Sequence, residues 1–318
     1  MNHERSLIVN GRGTIKTIES PYIPQIPEEQ ILETPHKKIN VGWRRVFEGI
    51  ENVSQIIKEA DICQEEGDYR VKIDRPDIPW TVGLVFSDAH IGTYQTDHKL
   101  IRDLIDKTMS TPNSYLIDDG DTFNNGIWGG LQYEDVIPPY LQAFTVKDMA
   151  RELGNKFAAC VIGNHPEWMF ANAGIEPEYM FAENLEAPIF PGMGLLHLKA
   201  GNQEYKIAMS HTYWGKSKLN IHNCCVRLRE NEYPDAEVFI VGHEHIWGFM
   251  KEMVNDKEVL YIRPGTAKTY DRYARIHGIA KRGQQMGMAL MCRTDRHYFE
   301  ARPLEEGISL MKMYETRT

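Results

Sequence analysis

The stretch Val241-Gly242-His243-Glu244-His245 ends an apolar run, EVFIVG, with two histidines one residue apart. Two neighbouring imidazoles repel when both are protonated, and waste burial when both are neutral and unpaired. A cation resolves that conflict, because each neutral ring can donate a lone pair to it. An isolated pair of this kind also reads as a chance feature of a solvated strand end, so its meaning depends on the rest of the chain. Four more apolar runs end in comparable side chains: TVGLVF in Ser87-Asp88-Ala89-His90, SYLI in Asp119-Gly120-Asp121, AACVIG in Gly163-Asn164-His165 and KIAM in Ser210-His211. One DxH or GNH alone carries a structural reading. Five such endings point to a metal centre, because α/β sheets gather their sites at the carboxyl ends of strands. Mixed nitrogen and oxygen donors suit Mn²⁺, Fe²⁺ or Zn²⁺.

The elements that must hold these residues can be read from hydrophobic periodicity. Residues 81–86, 114–117 and 158–163 are short apolar runs, as expected for buried strands. Thr96-Asp97 can cap a helix carrying Leu100, Ile101, Leu104 and Ile105, and residues 133–154 and 176–185 are expected to be largely helical. The period then becomes two: LLHLKAGNQEYKIAMSH reads as a hairpin about Gly201-Asn202, with further strands in FMKEMVNDKEVLYIRPG and GMALMCRTDRHYFEAR. Strands alternating with helices, then hairpins, give the expected fold class: α/β, two packed sheets with helices outside. Residues 1–79 are expected to form an N-terminal arm with a helical region at 41–60, residues 80–303 the main domain and 304–318 a tail. A helix-turn-helix near 41–60 is conceivable; a helix packed on the domain edge is the plainer expectation.

The order of these motifs resembles that of the calcineurin-like metallophosphoesterases: DxH, GDxx(D/N), GNH(D/E), an isolated His and GHxH stand here as SDAH, GDTFN, GNHP, SH and GHEH. The resemblance covers roughly residues 80–300 and implies an αββα sandwich with two divalent metal ions, Mn²⁺ being expected. It implies Asp88, His90 and His245 at one metal, Asn164, His211 and His243 at the other, and Asp121 as the bridge. Two cations about 3.5–4 Å apart clamp phosphate oxygens and acidify water. His165, beside Asn164, would act as general acid on the leaving oxygen. Two positions depart from the family pattern: Pro166 follows GNH where an acid is common, and Asn124 stands where Asp is common. Unless Glu167 or Asp119 substitutes, His165 is then expected to be a weaker acid.

Between Arg263 and Arg282 six Lys or Arg residues (263, 268, 272, 275, 281, 282) face one acid, Asp271. One reading is a phosphate track, with Arg263, Lys268, Arg272 and Arg275 as substrate contacts and Tyr270 and Tyr273 stacking on bases. The other is a solvated loop. GDTFNN and IGNHPE depart from the GDxVDRG and RGNHE of the protein phosphatases, whereas SDAHIG matches the SDxHxG of nuclease branches. The expected activity is a phosphodiesterase or DNA nuclease, with a phosphomonoesterase acting on nucleotides or phosphoproteins as the alternative. A third reading, an inactive scaffold, conflicts with every ligand position being filled.

The chain has 318 residues with a net charge of −9, which argues against a surface coated for nucleic acid while allowing a local basic patch. Its five cysteines show no CxxC spacing, so a disulfide framework is not expected and a reducing, cytoplasmic setting is. No apolar leader and no run of membrane-spanning length is present, and no membrane partner is expected.

Overall fold

The computed structural model describes residues 43–60, 65–126, 133–173, 187–217, 219–269 and 287–316. The chain forms two units, Met1–Ile62 and Cys63–Thr318. In the first, the described element is helix α1 (Trp43–Ala60), which covers the expected helical stretch. A second helix of a helix-turn-helix would fall outside the described residues.

The second unit is a sandwich of two six-stranded sheets. Strands β2 (Trp80–Phe86), β3 (Ser114–Asp118), β4 (Phe157–Val161) and β5 (Ile189–Phe190) run parallel in one sheet, continued antiparallel by β11 (Met288–Arg293) and β12 (Phe299–Pro303). The other sheet has the order β1 (Glu66–Arg70), β6 (Met193–Ala200), β7 (Gln203–Ser210), β8 (Val238–Val241), β10 (Lys257–Pro264), β9 (Trp247–Val254). Every residue of β2, β3, β4 and β8 is buried, as apolar runs covered on both faces must be. The hairpin β6–β7 turns at Gly201-Asn202, with positive φ at Gly201, and β9–β10 turns at Asn255-Asp256, with positive φ at both residues, as tight hairpin turns demand.

Between the sheets lies a core that includes Val85, Ile117, Val161, Leu196, Ile207, Val238 and Ile262. On the outer face of the first sheet pack α2 (His98–Ser110), α3 (Pro139–Leu153) and α6 (Leu304–Glu315), through Leu104, Val146, Ile308 and Met311. On the outer face of the second packs α5 (Asn223–Asn231), through Cys224, Cys225 and Leu228. The fold is therefore an αββα sandwich. It takes in more chain than residues 80–303. β1 pairs in parallel with β6 well before residue 80, and the stretch after 303 is a helix whose apolar side, Ile308 and Met311, is buried in the core rather than a tail. Helix α3 begins at Pro139, later than residue 133, because Pro fits only the first turn. The helix expected at 176–185 lies outside the described residues. Neither α5 nor α4 (Asn164–Ala173), which begins inside the GNH motif, was expected.

Candidate metal centre

All the predicted ligands lie just past strand ends. β2 leads to Asp88 and His90, β3 to Asp121, β4 to Asn164, β7 to His211 and β8 to His243 and His245. The first sheet thus supplies four of these residues and the second three. β8 ends at Val241, so His243 and His245 do not share a strand face. They diverge: His245 joins Asp88 and His90, and His243 joins Asp121 and His211. A third grouping, His90, Asp121 and His165, links the two. The divergence comes from the backbone. Asp88, His90, Asp121, His243 and His245 all have φ between 48° and 68°, a left-handed region that residues other than Gly rarely occupy.

Hydrogen bonds hold these turns. The Asp88 and His90 amides donate to the Gly120 and Asp121 carbonyls, at 2.9 and 3.0 Å. The Thr266 hydroxyl donates to the Asp88 carbonyl at 2.7 Å and that of Thr96 to the His90 carbonyl at 2.7 Å. Two motif glycines are needed for close approach. A Cβ on Gly242 would lie 2.1 Å from Ser87 Oγ, and one on Gly163 would lie 2.1 Å from Asp121 Oδ1.

The donor atoms fit divalent cations. Asp88 Oδ2 accepts from the Ser87 hydroxyl at 2.7 Å and the His243 amide at 2.9 Å, while the buried Oδ1 has no partner among the described residues. That bare oxygen sits 3.4 Å from His245 Nε2 and 3.9 Å from His90 Nε2, and the two ring nitrogens face each other at 3.2 Å. A cation satisfies all three. In the other cluster His211 Nδ1–H donates to the Asp119 carbonyl at 2.7 Å, which turns Nε2 toward Asp121 Oδ2 and Asn164 Oδ1, each at 3.1 Å. Burial holds the His90 ring well below its ordinary pKa and brings His243 down to about 4, so both rings are neutral donors. At His211 burial opposes the charge, but Asp121, Asp88 and Asp119 outweigh it and raise the ring to about 10. Without a cation that ring carries a proton, and Asp121, despite burial, is held far below the usual carboxylate range by His211 and His165.

His165 is oriented by a group the sequence did not single out. Its Nδ1–H donates to the backbone carbonyl of Asn124, leaving Nε2 as the free end, 3.8 Å from Asp121 Oδ2. Its amide donates to Asp121 Oδ1 at 2.9 Å, its carbonyl accepts from Asn125 Nδ2 at 2.6 Å, and its ring lies against Trp168 with centroids 4.1 Å apart. Neither Glu167, which is exposed, nor the Asp119 carboxylate takes this role. Asn124 turns its side-chain amide away, to Asp135 at 2.7 Å, so an Asp there is not needed to hold the ring. Pro166 falls in the first turn of α4, where a missing N–H costs nothing.

The proposed substrate contacts fare differently. Arg263 is 1% exposed. Its guanidinium donates to the carbonyls of Ile221 and Gly242, each at 2.9 Å, and to Glu244 at 3.1 Å, and it meets Cys224 Sγ at 2.6 Å. It braces the GHEH turn from beneath. Lys268 is 5% exposed, with its ammonium 3.3 Å from Glu134. A count of basic residues carries no information on burial, and both of these side chains are buried beside an acid. Arg272 and Arg275, with Tyr270 and Tyr273, lie outside the described residues.

The two-sheet architecture and the strand-end placement of the motifs agree with what the resemblance to the calcineurin-like metallophosphoesterases implies. No protein-family model matches the chain, and no curated protein matches it. Solved structures that it resembles include vacuolar protein sorting 29 of Cryptosporidium parvum, at 16% identity and a TM-score of 0.39, covering 72% of this chain and 94% of that one. A putative 5'-nucleotidase of Staphylococcus aureus follows at 15% and 0.40, covering 74% of this chain and 58% of that one. The nuclease MPE of Pseudomonas putida stands at 12% and 0.31, covering 69% and 87%. These are distant likenesses of fold. Among the described residues no helix is long and apolar enough to cross a membrane, and the described cysteines, Cys160, Cys224, Cys225 and Cys292, are buried and form no disulfide with one another.

Proposed function

We propose that this metallophosphoesterase-like chain hydrolyses phosphoesters, with Asp88, His90 and His245 holding one divalent cation, Asn164, His211 and His243 a second, and Asp121 shared between them. The observation that carries this reading is the convergence of two sheets on one cluster of donors in which Asp88 Oδ1 is buried without a partner. Two bound cations supply charge stabilisation to the phosphoryl oxygens and acidify water. The protein's own contribution is positional. Asp119 and Asp88 fix His211 Nε2 and the His243 turn in place through one carbonyl and one carboxylate oxygen. The Asn124 carbonyl fixes the tautomer of His165 so that Nε2 is the end able to carry a proton to the leaving oxygen. Burial lowers the pKa of His165, against the pull of Asp121 and the Asn124 carbonyl, so its protonated form gains population as pH falls.

The finer reading is a phosphodiesterase or nuclease. It rests on SDAHIG (87–92) and on the departure of GDTFNN and IGNHPE from the protein-phosphatase motifs. Mn²⁺ is the proposed metal, in a set of carboxylate, amide and imidazole donors that also suits Fe²⁺ and Zn²⁺. The test compares activated phosphodiester, activated phosphomonoester, and single- and double-stranded DNA with Mn²⁺ and with chelator. Metal-dependent turnover of the diesters and DNA supports the reading. Preference for the monoester would move the chain to the phosphomonoesterases, and no metal-dependent turnover of any of them would make it a scaffold.

A further inference from the structure

We propose that the loop Thr212–Lys216, leaving His211, is a nucleobase-stacking subsite in which Trp214 is the platform and Lys216 the phosphate partner. The ligand class is a phosphodiester that carries a base, and the inference builds on the phosphoester reading of the adjacent centre.

His211 is fixed within the donor cluster, and Trp214 follows three residues later, within about 10 Å of chain. It is 57% exposed. Yet it is held in place. The Arg227 guanidinium carbon lies 5.1 Å from the ring centroid, and Arg227 is itself tied to Glu230 at 3.0 Å. The chain turns at Gly215, whose φ of +103° favours glycine, and the Gly215 carbonyl accepts from Asn223 Nδ2 at 2.6 Å. On the other side of Trp214 the Tyr213 hydroxyl donates to Glu232 at 2.7 Å. Both flanks of Trp214 are thus pinned to or beside α5, and one guanidinium lies over the ring. An exposed ring fixed before binding loses little freedom when a base stacks on it.

Lys216 is exposed and carries the charge that a phosphate next to that base would need. It stands two residues from Trp214 in the chain, and the carboxylates of this stretch, Glu230 and Glu232, are engaged with Arg227 and Tyr213.

The test is binding by the full chain, read as fluorescence anisotropy in Mn²⁺. The probes are a labelled phosphorothioate oligothymidylate and an abasic strand with the same linkages. Base–aromatic stacking of about 1–3 kcal/mol corresponds to roughly 5- to 150-fold in affinity. Trp214→Ala should weaken the oligothymidylate by about 10-fold and leave the abasic strand within about two-fold, while Trp214→Phe retains most of the affinity. Lys216→Ala should weaken both strands alike and flatten the salt dependence. Equal loss on both strands, loss on neither, or no binding of oligothymidylate by the unaltered chain overturns the proposal. Trp214-dependent binding without metal-dependent cleavage of any phosphoester would keep the subsite and refute the hydrolase reading. Cleavage of bis(4-nitrophenyl) phosphate with no effect of Trp214 on strand binding would do the reverse.

Discussion

Arg263→Met is the substitution that best separates a bracing role from a substrate contact. The methionine keeps most of the aliphatic stem and removes the guanidinium. The carbonyls of Ile221 and Gly242 and the carboxylate of Glu244 then lose their donor beneath the GHEH turn. Removing one partner from a buried charged network costs about 3–5 kcal/mol. Glu244 keeps 21% side-chain exposure and can recover some hydration, which argues for the lower end, about 3 kcal/mol. For a unit of this size that corresponds to a fall of roughly 6–12 °C in Tm. Because Gly242 and Glu244 flank His243 and Glu244 precedes His245, metal affinity should also fall, by about 10–100-fold as for other groups that orient ligands. Thermal unfolding of the metal-free protein and calorimetric Mn²⁺ titration read the two effects. Glu244→Gln, which keeps an acceptor for Arg263, should cost less in both. An Arg263→Met protein with unchanged Tm and metal affinity, yet with a raised KM, would place Arg263 on substrate and refute the bracing role.

Further outcomes can be checked on the same protein. Asp121→Ala should leave well under two metals per chain by elemental analysis if, as proposed, the carboxylate serves both; full occupancy with normal turnover would remove it from that place. His211 is held protonated up to about 10 without a cation, so Mn²⁺ must displace that proton. Affinity should therefore rise with pH up to that range, and titration in buffers of different ionisation enthalpy should show proton release; proton-neutral binding would exclude His211 as a ligand. His165→Asn should keep both metals and slow an alkyl ester by roughly 10²–10⁴-fold, with a much smaller loss on a nitrophenyl ester. Equal slowing of both would mean that the ring stabilises charge instead of delivering a proton, and lost metals would make it a ligand. Reversing Arg272 and Arg275 to Glu should weaken DNA binding and flatten its salt slope while sparing a small diester; equal loss on both would end the phosphate-track reading.

Much of the sandwich was legible because period and burial leave marks in sequence. The runs at 81–86, 114–117 and 158–163 are continuous because both faces of their strands are covered, and Gly201-Asn202 and Asn255-Asp256 mark the turns of the hairpins β6–β7 and β9–β10. α5, by contrast, is polar along most of its length and buries only Cys224, Cys225 and Leu228, too few to raise a periodic signal. The donors were legible as residue types at strand ends. Their disposition was not, because it depends on left-handed backbone at Asp88, His90, Asp121, His243 and His245, a conformation that none of these residue types announces. The support of His165 was hidden for a related reason. It comes from a main-chain carbonyl at Asn124, and a carbonyl is present at every position whatever its side chain.

The donors also close a topological circuit. They run from Asp88 to His245 in the chain and reach the centre from both sheets, which elsewhere are joined by apolar packing and by hydrogen bonds such as those from the Tyr205 hydroxyl to the Arg293 carbonyl and from the Lys251 ammonium to the Phe299 carbonyl. A cation seated there acts as a reversible cross-link across a long segment of polypeptide, and much of its stabilising effect comes from the chain entropy it removes from the unfolded state. Chelation should then do more than silence a centre. It should loosen the seam between the sheets first at the carboxyl ends of β2, β3, β7 and β8, so that amide exchange quickens there while the far ends of the same strands stay protected.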